Sequence, residues 1–121
     1  MNDKAENDYL EVVIDADGAI VVRGDIDIAG GPVLEAVLIA NENDTSLVID
    51  LGDVSFIDSS GLRSLLSASR RATERNTTVV LRSVGPEVAR LLQITGTAGL
   101  FTLAEATDGN VTGTQDTSGT A

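Results

Sequence analysis

Apolar positions in this chain alternate between two periods. Val12, Val13 and Ile14 form a short run after Tyr9, the turn-forming set Asp15-Ala16-Asp17-Gly18 follows, and Ala19 to Arg23 reads Ala-Ile-Val-Val-Arg. Two β-rich runs joined by so short a polar link predict an antiparallel hairpin. Gly24-Asp25-Ile26-Asp27 leaves the second strand. Val33, Leu34, Val37 and Leu38 then recur at helical spacing behind Pro32. Proline suits a first helical turn, so a helix is expected to run to about Ala40, where Asn41-Glu42-Asn43-Asp44 ends it. Leu47 to Leu51 is an apolar run with one acid, the pattern of an interior parallel strand. Residues 52–58 read as a loop dotted with apolar residues.

The next helix is expected from near Ser60 to about Glu74. Leu62, Leu65, Leu66, Ser69 and Ala72 share one face of it, and Arg63, Arg70, Arg71 and Arg75 fall on the other. That basic face is solvated, flanks the serines before it, or pairs with the chain's own acids. Thr78 to Arg82 reads as a strand. Pro86 opens a helix carrying Val88, Leu91, Leu92 and Thr95, Gly96 to Gly99 breaks it, and Leu100 to Leu103 is a short final strand. Strands separated by helices imply right-handed parallel crossovers. The fold class is therefore α/β: a mixed sheet that opens with an antiparallel hairpin and continues as βαβ crossovers, with helices packed on it. Residues 1–8 read as a polar N-terminal tail and 9–106 as one domain. Residues 107–121 have Val111 as their only bulky apolar side chain, which predicts a disordered C-terminal tail.

Composition removes most chemistry. The chain has no Cys and no His, so thiol catalysis, disulfides, most zinc sites and His-based triads are excluded. Its one lysine, Lys4, follows no glycine-rich loop, which excludes a Walker-type phosphate site. Neither a metal nor a cofactor is expected. Tyr9, Phe56 and Phe101 are the only aromatics and the net charge is −11, a poor basis for nucleic-acid binding. No apolar run approaches a membrane span, and the first residues lack the plan of a signal peptide. A cytoplasmic protein without a membrane partner is expected. Residues 1–58 hold 14 acids against Lys4 and Arg23, whereas residues 59–121 hold 5 acids against 6 arginines. The acidic half either serves solubility or offers a docking surface for a basic partner.

One junction stands out. Asp58-Ser59-Ser60-Gly61 lies past the end of a parallel strand and at the start of a helix, the usual functional edge of an open α/β sheet. Serine is an ordinary N-cap, so one hydroxyl is expected to cap the helix while its neighbour points outward. A phosphate added there would face the positive end of the helix and would add charge and bulk against any partner packed on the edge. Catalysis by Ser59 lacks a base. Asp25 and Asp27 stand between a strand and a helix, as turn formers or as contacts for a basic residue. Asp50 is placed like the phospho-accepting aspartate of a receiver domain, but such a site also needs a later lysine and an acidic pair for Mg²⁺.

These segments together resemble the STAS domain family. Gly24-Asp25-Ile26-Asp27-Ile28-Ala29-Gly30-Gly31-Pro32-Val33-Leu34 is similar to one of its stretches, and Leu47 to Leu51 with Val54 to Leu62 is similar to its signature. Pro86 to Leu92, and Ile94-Thr95-Gly96 to Leu100-Phe101, resemble its closing helix and strand. Within the family the chain looks like the single-domain anti-sigma factor antagonists. That resemblance implies a partner-switching cycle in which the unphosphorylated form binds an anti-sigma factor that is also a serine kinase, and the sigma factor is released. It implies Ser59 as phosphoacceptor, with Asp58, Ser60 and Gly61 as its motif neighbours and Ser60 as the cap or its support. It implies Asp25 and Asp27 on the kinase-docking face and a metal-dependent serine phosphatase that resets the cycle. The implied protein is a substrate and binding module, not an enzyme. Gly30 and Gly31 depart from the family, which often has threonine or another residue before the proline, and they imply a looser start to the first helix. The alternative reading is a STAS subunit of a transport or signalling assembly that is not phosphorylated.

Overall fold

The structure is a computed structural model that describes residues 5–6 and 10–104. The tail expected at 107–121 lies outside the described residues, as do Tyr9 and the end of the expected domain at 105–106. Of the tail expected at 1–8, only Ala5–Glu6 is described, and it forms a strand. The elements in chain order are β1 (Ala5–Glu6), β2 (Leu10–Ile14), β3 (Ile20–Ile26), α1 (Gly30–Asn41), β4 (Leu47–Ile57), α2 (Ser59–Glu74), β5 (Val79–Arg82), α3 (Pro86–Thr95), a 3-10 turn (Ala98–Leu100) and β6 (Thr102–Ala104). All six strands form one sheet in the order β1-β2-β3-β4-β5-β6. The pairs β1–β2 and β2–β3 are antiparallel, and β3 through β6 are parallel.

The hairpin forms as the turn residues predict. The Asp15 carboxylate accepts hydrogen bonds from the backbone N–H of Asp17 and Ala19, both at 2.9 Å, which closes the link between β2 and β3. Four parallel strands lying side by side in chain order require three crossovers that all step the same way. Right-handed crossovers then place α1, α2 and α3 on one face of the sheet. Burial agrees: Leu47, Ile49 and Leu51 of β4 and Val79 and Leu81 of β5 are buried against Leu34, Leu38, Leu65, Val88 and Leu92. The alternate residues Val48, Asp50, Val80 and Arg82 stand half-buried on the opposite face.

Two expectations change. First, the sheet gains β1, which pairs Ala5 with Val12 and Glu6 with Glu11. A two-residue polar strand carries no apolar period to read, and the exposed edge of β2 supplies its ladder. Second, the strand expected to stop at Leu51 runs on to Ile57. The residues read as a loop are held extended by β3, which pairs with β4 as far as Ile26 with Ile57. Irregular register between Val21 and Arg23, and between Gly24 and Asp25, accommodates the polar stretch of β4. The extension matters because it carries the Asp58-Ser59-Ser60-Gly61 junction out to the sheet's carboxyl edge.

Among the described residues, six acids of the first half pair with four arginines within the fold. On the open sheet face, Arg82 Nε donates to Asp50 at 2.8 Å and its Nη2 to Asp15 at 3.3 Å. Arg23 bridges Glu11 and Asp53 at 3.6 and 3.4 Å. Between the helices, Arg71 reaches Glu42 and Glu35, and Arg75 also donates to Glu42. The basic face of α2 is therefore divided: Arg71 and Arg75 bind the chain's own acids, while Arg63 and Arg70 stay exposed. Asp50 is a structural anion, its other oxygen accepting from the Gly52 N–H at 2.9 Å.

Candidate functional site

The carboxyl ends of β3 and β4 deliver two helix starts to one edge. After β3, Asp27 folds its side chain back: Oδ1 accepts from the N–H of Ala29 at 3.1 Å and of Gly30 at 2.9 Å. Its carbonyl accepts from the Gly31 N–H at 2.7 Å. Asp27 therefore organises the entry to α1. After β4, Asp58 is the N-cap of α2, with Oδ1 accepting from the Gly61 N–H at 3.0 Å. Its backbone N–H donates to the Ile26 carbonyl at 3.3 Å, and its carbonyl accepts from Leu62 at 2.9 Å.

The cap is thus an aspartate, which corrects the expectation that Ser60 or its neighbour caps the helix. An ionised carboxylate at an N-cap both accepts the amide bond and meets the helix dipole favourably, so it takes the position from the adjacent hydroxyls. Ser59 and Ser60 become the first two residues of α2. Ser59 is exposed and Ser60 half-buried, and neither hydroxyl has a hydrogen-bond partner among the described residues. Asp58→Ala is expected to cost about 1 kcal/mol through loss of the cap. A urea denaturation midpoint that does not move would refute this role.

Gly61 lets the junction close. It is buried, and a Cβ there would overlap the Ile26 carbonyl oxygen and lie 2.7 Å from the carbonyl carbon. Gly30 and Gly31 play the same part for α1. A Cβ on Gly30 would stand 2.8 Å from the Asp25 carbonyl, and one on Gly31 would stand 3.1 Å from Ser64 Oγ. The buried Ser64 hydroxyl donates to the Gly31 carbonyl at 3.0 Å, tying α2 to the start of α1. The paired glycines therefore tighten this helix start where the family departure implied a looser one.

Asp25 pairs with Phe56 in the β3–β4 ladder, and its carboxylate has no partner among the described residues. The two acids thus differ: Asp27 is engaged in the turn, and Asp25, next to last in β3, is available. Two side chains that the sequence reading passed over complete the edge. Phe56 is 48% exposed and Ile28 is 76% exposed. A signal for Phe56 existed, because adjacent apolar residues in an extended strand cannot both face one core, and Ile57 takes the inward position. Among the described residues no group of three or more Asp, Glu, His or Cys side chains is placed to hold a metal ion. No helix there is long and apolar enough to cross a membrane.

The structure is thus a mixed α/β sheet layered by helices on one face, with an aspartate-capped helix presenting an uncommitted serine at the sheet's carboxyl edge. The chain belongs to the STAS domain family, on a match over residues 13–104 to the family model described as "Mlab, STAS domain". It is 29% identical over 91 residues to the anti-sigma-B factor antagonist of Bacillus subtilis, covering 74% of this chain and 84% of that protein. The crystal structure of an anti-sigma factor antagonist from Mycobacterium paratuberculosis is similar at 32% identity with a TM-score of 0.65, covering 86% of this chain and 92% of that one. The fold is also shared with the Bacillus cell fate determinant SpoIIAA in its phosphorylated form, at 19% identity and a TM-score of 0.59, over 82% of this chain and 92% of that one.

Proposed function

We propose that this chain is an anti-sigma factor antagonist switched by phosphorylation of Ser59. Its unphosphorylated form binds an anti-sigma factor that is also a serine kinase, and the sigma factor is released. The observation that carries the reading is the uncommitted, exposed Ser59 hydroxyl behind an aspartate that already caps the helix. In the transfer, Ser59 Oγ attacks the γ-phosphorus of ATP, the bond to the β-phosphate oxygen breaks, and ADP leaves. The hydroxyl proton passes to a base on the kinase, since the chain has no histidine and Asp58 is held by the Gly61 amide.

The phosphate adds about −1.5 to −2 charges and three acceptor oxygens. Asp58 takes the Gly61 and Leu62 amides, and those of Ser59 and Ser60 are left at the helix start to receive it, so the fold tolerates the modification. A partner pressed against Asp25, Ile28 and Phe56 meets new charge beside Asp58, and the complex separates. A metal-dependent serine phosphatase on a separate chain restores the hydroxyl.

Incubation with a candidate anti-sigma kinase, ATP and Mg²⁺ is expected to add about 80 Da by mass spectrometry, located on Ser59. Ser59→Ala is expected to take no phosphate and to hold the kinase persistently, while Ser60→Ala is labelled normally. Loss of labelling in Ser60→Ala alone would transfer the role to Ser60. Failure of the wild-type chain to take phosphate from any kinase it binds would leave the unphosphorylated subunit of a larger assembly as the better reading.

A further inference from the structure

Helix α1 is apolar on the side that faces outward as well as on the side that faces the core. Its inner positions Leu34 and Leu38 are fully buried. Its outer positions Pro32, Ala36 and Ile39 are exposed, and Ile39 keeps 54% of its surface in solvent. These recur at i, i+4 and i+7 and so form one stripe along the helix. Glu35 is the only charged residue of α1, and it turns aside to Arg71 at 3.3 Å. The other helices are built differently: α2 shows Arg63 and Arg70 outward, and α3 shows Glu87 and Arg90. A helix that is apolar all round is normally covered on both sides, whereas surface helices carry a polar outer face.

We infer that the outer face of α1 is a second contact surface for the anti-sigma factor that docks at the Ser59 edge, an inference that rests on the proposed function. Continuity selects this partner. The stripe begins at Pro32, in the first turn of α1, just after exposed Ile28 in the loop that follows β3 and its Asp25, so a body seated on the edge overhangs the helix. Charge selects against a second copy of this chain, since each copy carries a net −11. It also defines the partner's chemistry. Asp25 near one end of α1 and exposed Asp44 beyond the other have no counter-ion among the described residues. The matching surface is an apolar strip with lysine or arginine at its ends. The stripe residues Pro32, Ala36 and Ile39 carry no hydroxyl, so they add affinity without being altered chemically by phosphorylation.

The test uses the full unphosphorylated chain and the kinase that labels Ser59. Ile39→Gln keeps charge and helix propensity while removing an apolar contact, and Ile94→Gln alters a still more exposed isoleucine on α3. Ile39→Gln is expected to weaken kinase binding about tenfold by interferometry, with an unchanged melting temperature. Ile94→Gln is expected to bind as wild type. Normal binding and normal labelling of Ile39→Gln overturns this inference alone. Equal weakening by Ile94→Gln overturns it too, because the effect is then not specific to α1. Sedimentation of the wild type as a dimer that Ile39→Gln dissolves assigns the stripe to a second copy and overturns it. A wild-type chain that neither binds the kinase nor takes phosphate overturns both this inference and the function it rests on.

Discussion

Gly61→Ala is expected to destabilise the fold by about 3 kcal/mol and to displace Ser59, the proposed phosphoacceptor, at the same time. Alanine is the better helix former, by about 1 kcal/mol in a helix interior. That gain is outweighed because the new methyl group has nowhere to go. Its nearest neighbours are the oxygen and carbon of the Ile26 carbonyl and Ile26 Cγ2, and the first two are backbone at the end of a paired strand. Relief requires α2 to lift off β3. That movement breaks the bond from the Asp58 N–H to the Ile26 carbonyl and carries Ser59 with it. Urea denaturation should show a lower midpoint with an unchanged slope, and the melting temperature should fall by roughly 15 °C at about 5 °C per kcal/mol. A shift of less than 1 kcal/mol would mean that the helix start yields easily, and the close approach would then not be what positions the serine. The same variant should be phosphorylated poorly even well below its melting temperature.

Removal of Arg71 is the second large effect. The Glu42 side chain is only 5% exposed, and it lies against Arg71 Nη2 at 2.7 Å and Arg75 Nη1 at 3.0 Å. Burial pushes the Glu42 carboxyl up, but the hydrogen bonds from Arg71 and then Arg75 outweigh it and hold the group below its ordinary value. Arg71→Met leaves a largely buried carboxylate with one exposed partner and releases Glu35 as well. Breaking a buried pair on one side costs about 3–5 kcal/mol, and the retained Arg75 brings the expectation to about 2 kcal/mol. Glu42→Gln with Arg71→Met should recover part of that loss, because no unpaired charge is then buried. Equal stability of the single and double variants would sink this account.

The pH dependence follows with a definite sign. Glu42 has a depressed folded pKa, so its contribution is present above the ordinary value of 4.5 and is lost as pH falls through the lower folded value. Asp15 acts in the same direction from an ordinary 3.8. The Ala19 amide is the largest influence on it, and that bond, with the Asp17 amide and Arg82, outweighs the opposing effect of burial. Wild-type stability should therefore fall below about pH 4.5, and Arg71→Met should flatten the Glu42 part of that fall.

Much of this was legible in advance because it is set locally. The hairpin and the three helices follow from period and turn chemistry within a few residues. Lack of histidine and cysteine narrowed the chemistry before any fold was known. The extension of β4 was not legible, since Gly52, Asp53 and Ser55 have poor strand propensity and are held by β3. Strand β1 was not legible either, because its ladder comes from another segment.

The Asp58-Ser59-Ser60-Gly61 junction shows where the boundary falls. By itself the sequence determined the element order, the placement of two hydroxyls behind an acid at a helix start, and the poverty of catalytic groups. Only the tertiary structure decided that Asp58 takes the cap and leaves Ser59 free, because that depends on the angle at which β4 enters α2 against the Ile26 carbonyl. Only the tertiary structure divided the acids into those spent on Arg23, Arg71, Arg75 and Arg82 and those, such as Asp25, that remain for a partner. Those pairings join side chains far apart along the chain, and no local period records them.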